Sequence, residues 1–195
     1  MPNTINILSV IDVETILSNN LKGGDSPQSA TSLGSNGVSD TYVYMITAQG
    51  FVDSNDLKNR GRASSELTID ARVGDTIQWE LTCPGSGLQF NAIIAGVHPG
   101  YQSNPGSLSA PQAILTTRHI YTQAGQYGYQ VVQQMDYVSH VQSAGTTQYD
   151  VVFQVMNQDG TSLGYFKWDP FVKVLENEQE YKAAKAESLK KPQLA

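Results

Sequence analysis

The sequence predicts an all-β domain, a sandwich or barrel of about eight antiparallel strands, and three observations lead there. Apolar and polar residues alternate with period two, most cleanly where Ile77, Trp79 and Leu81 take one face while Thr76, Gln78, Glu80 and Thr82 take the other. Glycine- and proline-rich turn signals separate the apolar runs, with no helix-period segment between them. Charged residues make up only 15% of the 195, with 17 Gly, and Ser, Thr, Asn and Gln stand in their place. A polar surface of low charge density suits a fold with many turns.

The elements follow in order. Ile5 to Ile11 is β-branched and apolar on both alternating faces, the pattern of a strand inside a sheet. Ser18 to Asp40 is polar and rich in Gly, Ser and Asn, too long for a passive connection, and is expected to be a mobile or a functional loop. Thr41 to Ala48 resumes strand chemistry with Tyr42, Tyr44 and Ile46 on one face. Leu67 and Ile69 begin another strand, and Val73-Gly74-Asp75-Thr76 turns into the next. Leu88 to Val97, Ala113 to Ile120, Tyr127 to Val132 and Tyr149 to Met156 are further strands. Asp159-Gly160 then signals a hairpin into Leu163 to Trp168. Residues 1–174 form one domain on this reading. The charged stretch 175–195 has a thin apolar stripe and is expected to be a frayed helix or a disordered tail.

The net charge is −6, and four Glu against four Lys make the segment Glu176 to Lys191 neutral, so the acidity belongs to the body. A repulsive body argues against nucleic acid, which needs clustered Lys and Arg. The tightest basic group, Lys58, Arg60 and Arg62, sits among Asp53, Asp56 and Glu66 and reads as a solvated loop. No secretion signal and no membrane-length apolar run is visible, and a lone Cys83 makes no internal disulfide. These features point to a reducing cytoplasm, with no membrane partner.

No catalytic constellation stands out. His98, His119 and His140 are isolated, without the close pairs that supply adjacent zinc ligands. Gly-x-Ser-x-Gly and phosphate-binding glycine loops are missing, so no cofactor and no metal is expected. The Val73–Trp79 phrase resembles cupredoxins, but no histidine follows Cys83 within ten residues, which makes blue copper a poor fit. Ala124-Gly125-Gln126-Tyr127-Gly128-Tyr129 resembles the tyrosine corner of immunoglobulin-like sandwiches, with Tyr127 as the corner residue and Tyr129 where antibody domains carry a cysteine. Trp79 then serves as core packing. Among loop aromatics, Tyr101, and Tyr137 with His140, stand in polar, glycine-containing surroundings that suit sugar stacking or a protein contact. Tyrosines that merely cover the ends of a sandwich are the plainer explanation.

Three phrases in order carry a family resemblance: Ile5-Asn6-Ile7-Leu8-Ser9-Val10-Ile11-Asp12-Val13-Glu14, Val73-Gly74-Asp75-Thr76-Ile77-Gln78-Trp79, and Gly164-Tyr165-Phe166-Lys167-Trp168-Asp169-Pro170. Together they resemble the bacterial PixA/AidA inclusion-body protein family over roughly residues 3 to 174. The resemblance implies an immunoglobulin-like sandwich made in the cytoplasm, intracellular inclusions, quorum-linked or stationary-phase expression, and life with an animal host. It carries over no catalytic residues. Within the last phrase, Pro170 is expected to stop the ladder after Trp168, with Asp169 capping the turn. The four Met are ordinary in number, so the chain does not advertise an amino-acid store. The expected function is non-enzymatic self-association, the chain's partner being itself. A carbohydrate- or small-ligand-binding module is the alternative.

Overall fold

The computed structural model describes residues 1–34, 38–54, 64–85, 88–100, 106–121 and 128–190. In chain order the elements are β1 (Thr4–Ile11), α1 (Val13–Ser18), β2 (Thr31–Ser32), β3 (Val43–Ile46), β4 (Thr68–Arg72), β5 (Thr76–Thr82), β6 (Phe90–Pro99), β7 (Gln112–Tyr121), β8 (Tyr129–His140), β9 (Gly145–Asn157), β10 (Ser162–Trp168), β11 (Phe171–Leu175) and α2 (Glu178–Ser188). They build a β-sandwich. One sheet runs β3-β1-β5-β8-β7; the other runs β2-β10-β9-β11-β4, with β6 on the far side of β9.

The sheets are mixed, which corrects the expectation of an antiparallel fold. β1 pairs parallel with β5, β10 with β2, and β11 with β4. Parallel neighbours need long crossovers, and the chain supplies one between β1 and β5 by visiting β4 in the second sheet. Alternation within a strand cannot distinguish the two pairings. The strand count exceeds eight because β2, a two-residue Thr-Ser strand, and the five-residue β11 are short.

Alternation does set what is buried. On β1 the row Ile5, Ile7, Ser9 and Ile11 faces the core, and on β5 the row Ile77, Trp79 and Leu81. On β3 the buried row is Val43 and Met45, while Tyr44 and Ile46 face outward. Between the sheets Phe153 packs at 5.8 Å from Phe166 and edge-on at 5.6 Å to Trp168, whose indole N–H donates to Met45 Sδ at 3.4 Å. Burying each such ring contributes roughly 1.5–3 kcal/mol.

Asp169 and Pro170 differ from their expected roles. β10 does end at Trp168, yet register on β9 continues unchanged from Trp168↔Val151 to Phe171↔Gln148. The Pro170 carbonyl still accepts the Tyr149 N–H at 3.0 Å, so the ring removes one donor without ending the ladder. Asp169 accepts from Gln148 Nε2 at 2.6 Å across the strands, besides a bond from its own backbone.

The polar stretch after α1 is a strap. Its residues up to Gly34 carry a Ser26-capped turn at Pro27–Ser29, a bridge from Gly24 to Tyr165, and β2 against Phe166 and Lys167. Gly23 and Gly164 touch backbone to backbone, and a Cβ on Gly164 would lie 2.6 Å from Gly23 Cα. Backbone pairing holds most of this segment, with Leu21 and the buried Leu33 as apolar anchors, which is why its composition reads as loop.

The charged C-terminal segment is a docked helix. Asn177 caps α2 by accepting from Gln179 and Glu180. Tyr181 is buried, with the Arg72 guanidinium 5.0 Å from its ring centre, and Lys185 lies 4.9 Å from the Phe51 ring. Cations on aromatic faces replace the apolar stripe that the helix lacks. Arg72 also pairs with Glu178, whose carboxyl is held below its ordinary range by that hydrogen bond.

Candidate functional site: an interlayer cleft and an exposed hairpin

Two features of the sandwich carry functional chemistry, and both are set by β8. The end of β8 that pairs with β5 places Tyr137 opposite Trp79. Across the sandwich, the core-facing row of β9 brings Thr147 and Tyr149, with the Tyr149 ring edge-on to Trp79 at 5.1 Å. On β6 the register shifts between Ile94 and Gly96, and the Tyr137 hydroxyl donates to Ala95 O in that bulge at 3.1 Å. Residues 106–111 close the side, held by Ser109 N–H to His140 O at 2.8 Å, His140 N–H to Ser109 Oγ at 2.9 Å, and the Leu108–Val141 bridge.

These elements enclose a cleft of about 570 Å³, walled mainly by Val97, Pro99, Leu108, Pro111 and the Tyr137 ring, with His98 at its exposed margin. Among the described residues, no Asp, Glu, Lys or Arg lines it. Trp79, Tyr149 and Thr147 form its buried side. The Trp79 Nε1, Tyr149 Oη and Thr147 Oγ1 atoms are sealed from solvent without a hydrogen-bond partner. Burial raises the Tyr149 phenol above its ordinary pKa; the Trp79 indole N–H, near but out of bonding geometry, offsets this only in part. An unmet buried polar atom costs about 1–3 kcal/mol, so three in one place call for a reason.

The site residues expected from sequence meet different fates. Tyr137 lies in the cleft wall. His140 does not line it; its ring Nδ1 sits 3.1 Å from Thr76 Oγ1 on the outer surface. Tyr101 and Tyr127 fall outside the described residues, as do Lys58, Arg60 and Arg62. Trp79 packs in the core, and Trp168 is fully buried. Tyr129 is 51% exposed and packs on His119 at 4.5 Å, so it does not take the buried place of an antibody-domain cysteine. Sequence reasoning missed Tyr149, Thr147 and His98 in the cleft. Only the interlayer register unites them with Trp79, and no spacing along the chain encodes it. Among the described residues, no three or more His, Cys, Asp or Glu lie close enough to hold a metal ion.

Beyond Tyr137 the same strand pairs, among the described residues, with β7, over a register that runs to Tyr121↔Tyr129. Leu115, Val131 and Met135 continue the face that Tyr137 begins, yet they are 58%, 59% and 42% exposed. Ile120 and Val132 are exposed on the opposite face. The hairpin thus carries its apolar residues past the sheet that would cover them. Its outer face is pinned by Arg118, which reaches Glu80 at 2.6 Å and the buried Asp136 at 3.2 Å, while Gln78 Nε2 donates to Asp136 at 3.0 Å. Desolvation lowers the Arg118 pKa, but Glu80 and Asp136 outweigh it and hold the guanidinium charged.

Comparison with known proteins bears on this architecture. The sequence model of the PixA family, described as inclusion body protein, matches residues 3–174. The crystal structure of a PixA inclusion body protein from Burkholderia cenocepacia J2315 superposes with a TM-score of 0.71 at 20% identity, covering 89% of this chain and 97% of that one. At that identity the likeness speaks to fold. No curated protein matches the sequence at a significant level. No helix among the described residues is long and apolar enough to cross a membrane.

Proposed function

Because this chain belongs to the PixA family of inclusion body proteins, we propose that it is a non-enzymatic building block whose copies associate, in the bacterial cytoplasm, into dense bodies. The observation that supports this reading is the β7–β8 hairpin. β7 is a ten-residue edge, and among the described residues only β8 pairs with it. It holds no Pro and no Lys, and its single Arg118 is occupied by Glu80 and Asp136. Edge strands that avoid aggregation are usually blunted by such residues or by bulges. The opposite case is in the same molecule, since the β6 edge is bulged near Ala95 and ends on Pro99.

Two copies meeting through β7 would satisfy the free backbone groups and cover Leu115, Val131 and Met135 together. Low charge density weakens repulsion between copies. The quorum- or stationary-phase-linked and host-associated setting implied by the resemblance belongs to this same reading. A glycan-binding role has less support, because the Tyr137 hydroxyl is engaged by Ala95 and the His140 ring by Thr76. Light scattering behind size exclusion, over a hundredfold concentration range, tests the proposal. Growth beyond the 21.2 kDa monomer is expected; a monomer at every concentration would overturn it.

A further inference from the structure

The interlayer cleft has a chemistry that assembly does not use. Its size falls within the roughly 300–1,000 Å³ of small-molecule sites. Its walls are apolar, through Val97, Leu108, Pro111 and the Tyr137 ring, and its buried side holds three polar atoms that the fold leaves unmet. The second tryptophan provides the contrast, because the Trp168 indole N–H has Met45 Sδ as its acceptor at 3.4 Å. At Trp79 the indole N–H has the Tyr149 hydroxyl nearby but out of bonding geometry.

We propose that this cleft binds a small uncharged molecule with an apolar body and a hydrogen-bond acceptor, such as a carbonyl, at its inner end. The acceptor engages Trp79 Nε1, and Tyr149 Oη or Thr147 Oγ1 adds a second bond. A charged ligand is disfavoured because no Asp, Glu, Lys or Arg in the lining compensates it. A sugar would strand most of its hydroxyls against Val97, Leu108 and Pro111. The three polar atoms are closed off from solvent, so binding proceeds with a small parting of the side chains above them.

The experiment reads the two indole N–H signals of the chain, one per tryptophan, in ¹⁵N–¹H correlation spectra, with Trp79→Phe assigning them. The probe is acetophenone, and its near-isostere α-methylstyrene lacks the carbonyl. If the wild type associates, the spectra are taken on Leu115→Lys/Val131→Lys, so that the fate of the assembly proposal does not decide this one. The Trp79 signal should move saturably with acetophenone while the Trp168 signal stays. α-Methylstyrene should bind about tenfold or more weakly, as loss of one buried hydrogen bond implies. Ala110→Phe, which fills the cleft margin without adding an indole, should abolish the shift. A stationary Trp79 signal up to the solubility of the probe would overturn the site and leave bound water as the partner of these atoms. Equal shifts by both probes, or shifts that survive Ala110→Phe, would overturn it as well.

Discussion

The two ends of β8 make a natural experiment in burial. From Tyr137 to His140 the strand lies between β5 and β7, and Ser139 is sealed against the core. From Tyr129 to Met135 its strand pairing, among the described residues, is with β7, and Val131 on the same face is 59% exposed. Alternation and strand propensity are alike in the two halves; the difference is whether a second layer stands opposite. A period-two pattern therefore predicts a face that wants cover, and the rest of the chain decides whether that cover comes from within. At the distal half the described residues leave the face exposed, and a second copy is the occupant we propose.

Substitutions in the two regions should differ in kind. Phe153→Ala, at a position with no exposure and two aromatic neighbours, should cost about 3–5 kcal/mol in chemical denaturation. Val131→Ala should change the same measurement by less than about 0.5 kcal/mol. Equal losses at the two sites would mean that the hairpin face is buried within the monomer.

An intermediate effect is expected at the junction. Asp136 is fully buried and accepts from both Gln78 and Arg118. Asp136→Ala should cost about 1–3 kcal/mol by leaving those donors unmet. It should also loosen the hairpin, read as faster backbone hydrogen exchange in β7. Unchanged exchange there would show that the Arg118 cluster does not hold the two regions together.

The smallest effect lies away from both regions, at Asp169. Burial, with Glu66 and Asp150 nearby, holds its carboxyl above the ordinary range. A folded pKa above the unfolded one favours the fold below about pH 4, and that contribution is lost as pH rises through the folded value. Asp169→Asn keeps the acceptor for Gln148 and removes the titration. Its stability relative to wild type should therefore increase as pH rises above 4, measured by denaturation at each pH. A constant difference would show that the carboxyl carries no such burden.

Much of the sandwich was legible because burial leaves a period-two trace. Ile5 to Ile11, Ile77 to Leu81 and Tyr149 to Met156 are strands for that reason. Parallel pairing left no such trace, since β1 and β5 read alike in either direction. The strap from Gly23 to Ser32 is held by backbone bonds and a glycine–glycine contact, which composition records only as polarity. Asp75 illustrates the same limit. In sequence it is an ordinary turn residue, yet it is fully buried and accepts from the Asn3 and Arg72 backbones. Of the cleft, Tyr137 was legible as an aromatic in a polar setting. Tyr149 was hidden because its strand pattern marks it as core, which it also is.

The most direct test is light scattering on wild type beside Leu115→Lys/Val131→Lys, which places two charges on the uncovered face and leaves the interlayer core intact. Wild type that grows with concentration beside a folded, monomeric double variant is the expected result. Association that persists in the folded double variant would contradict the assignment of this hairpin as the contact between copies.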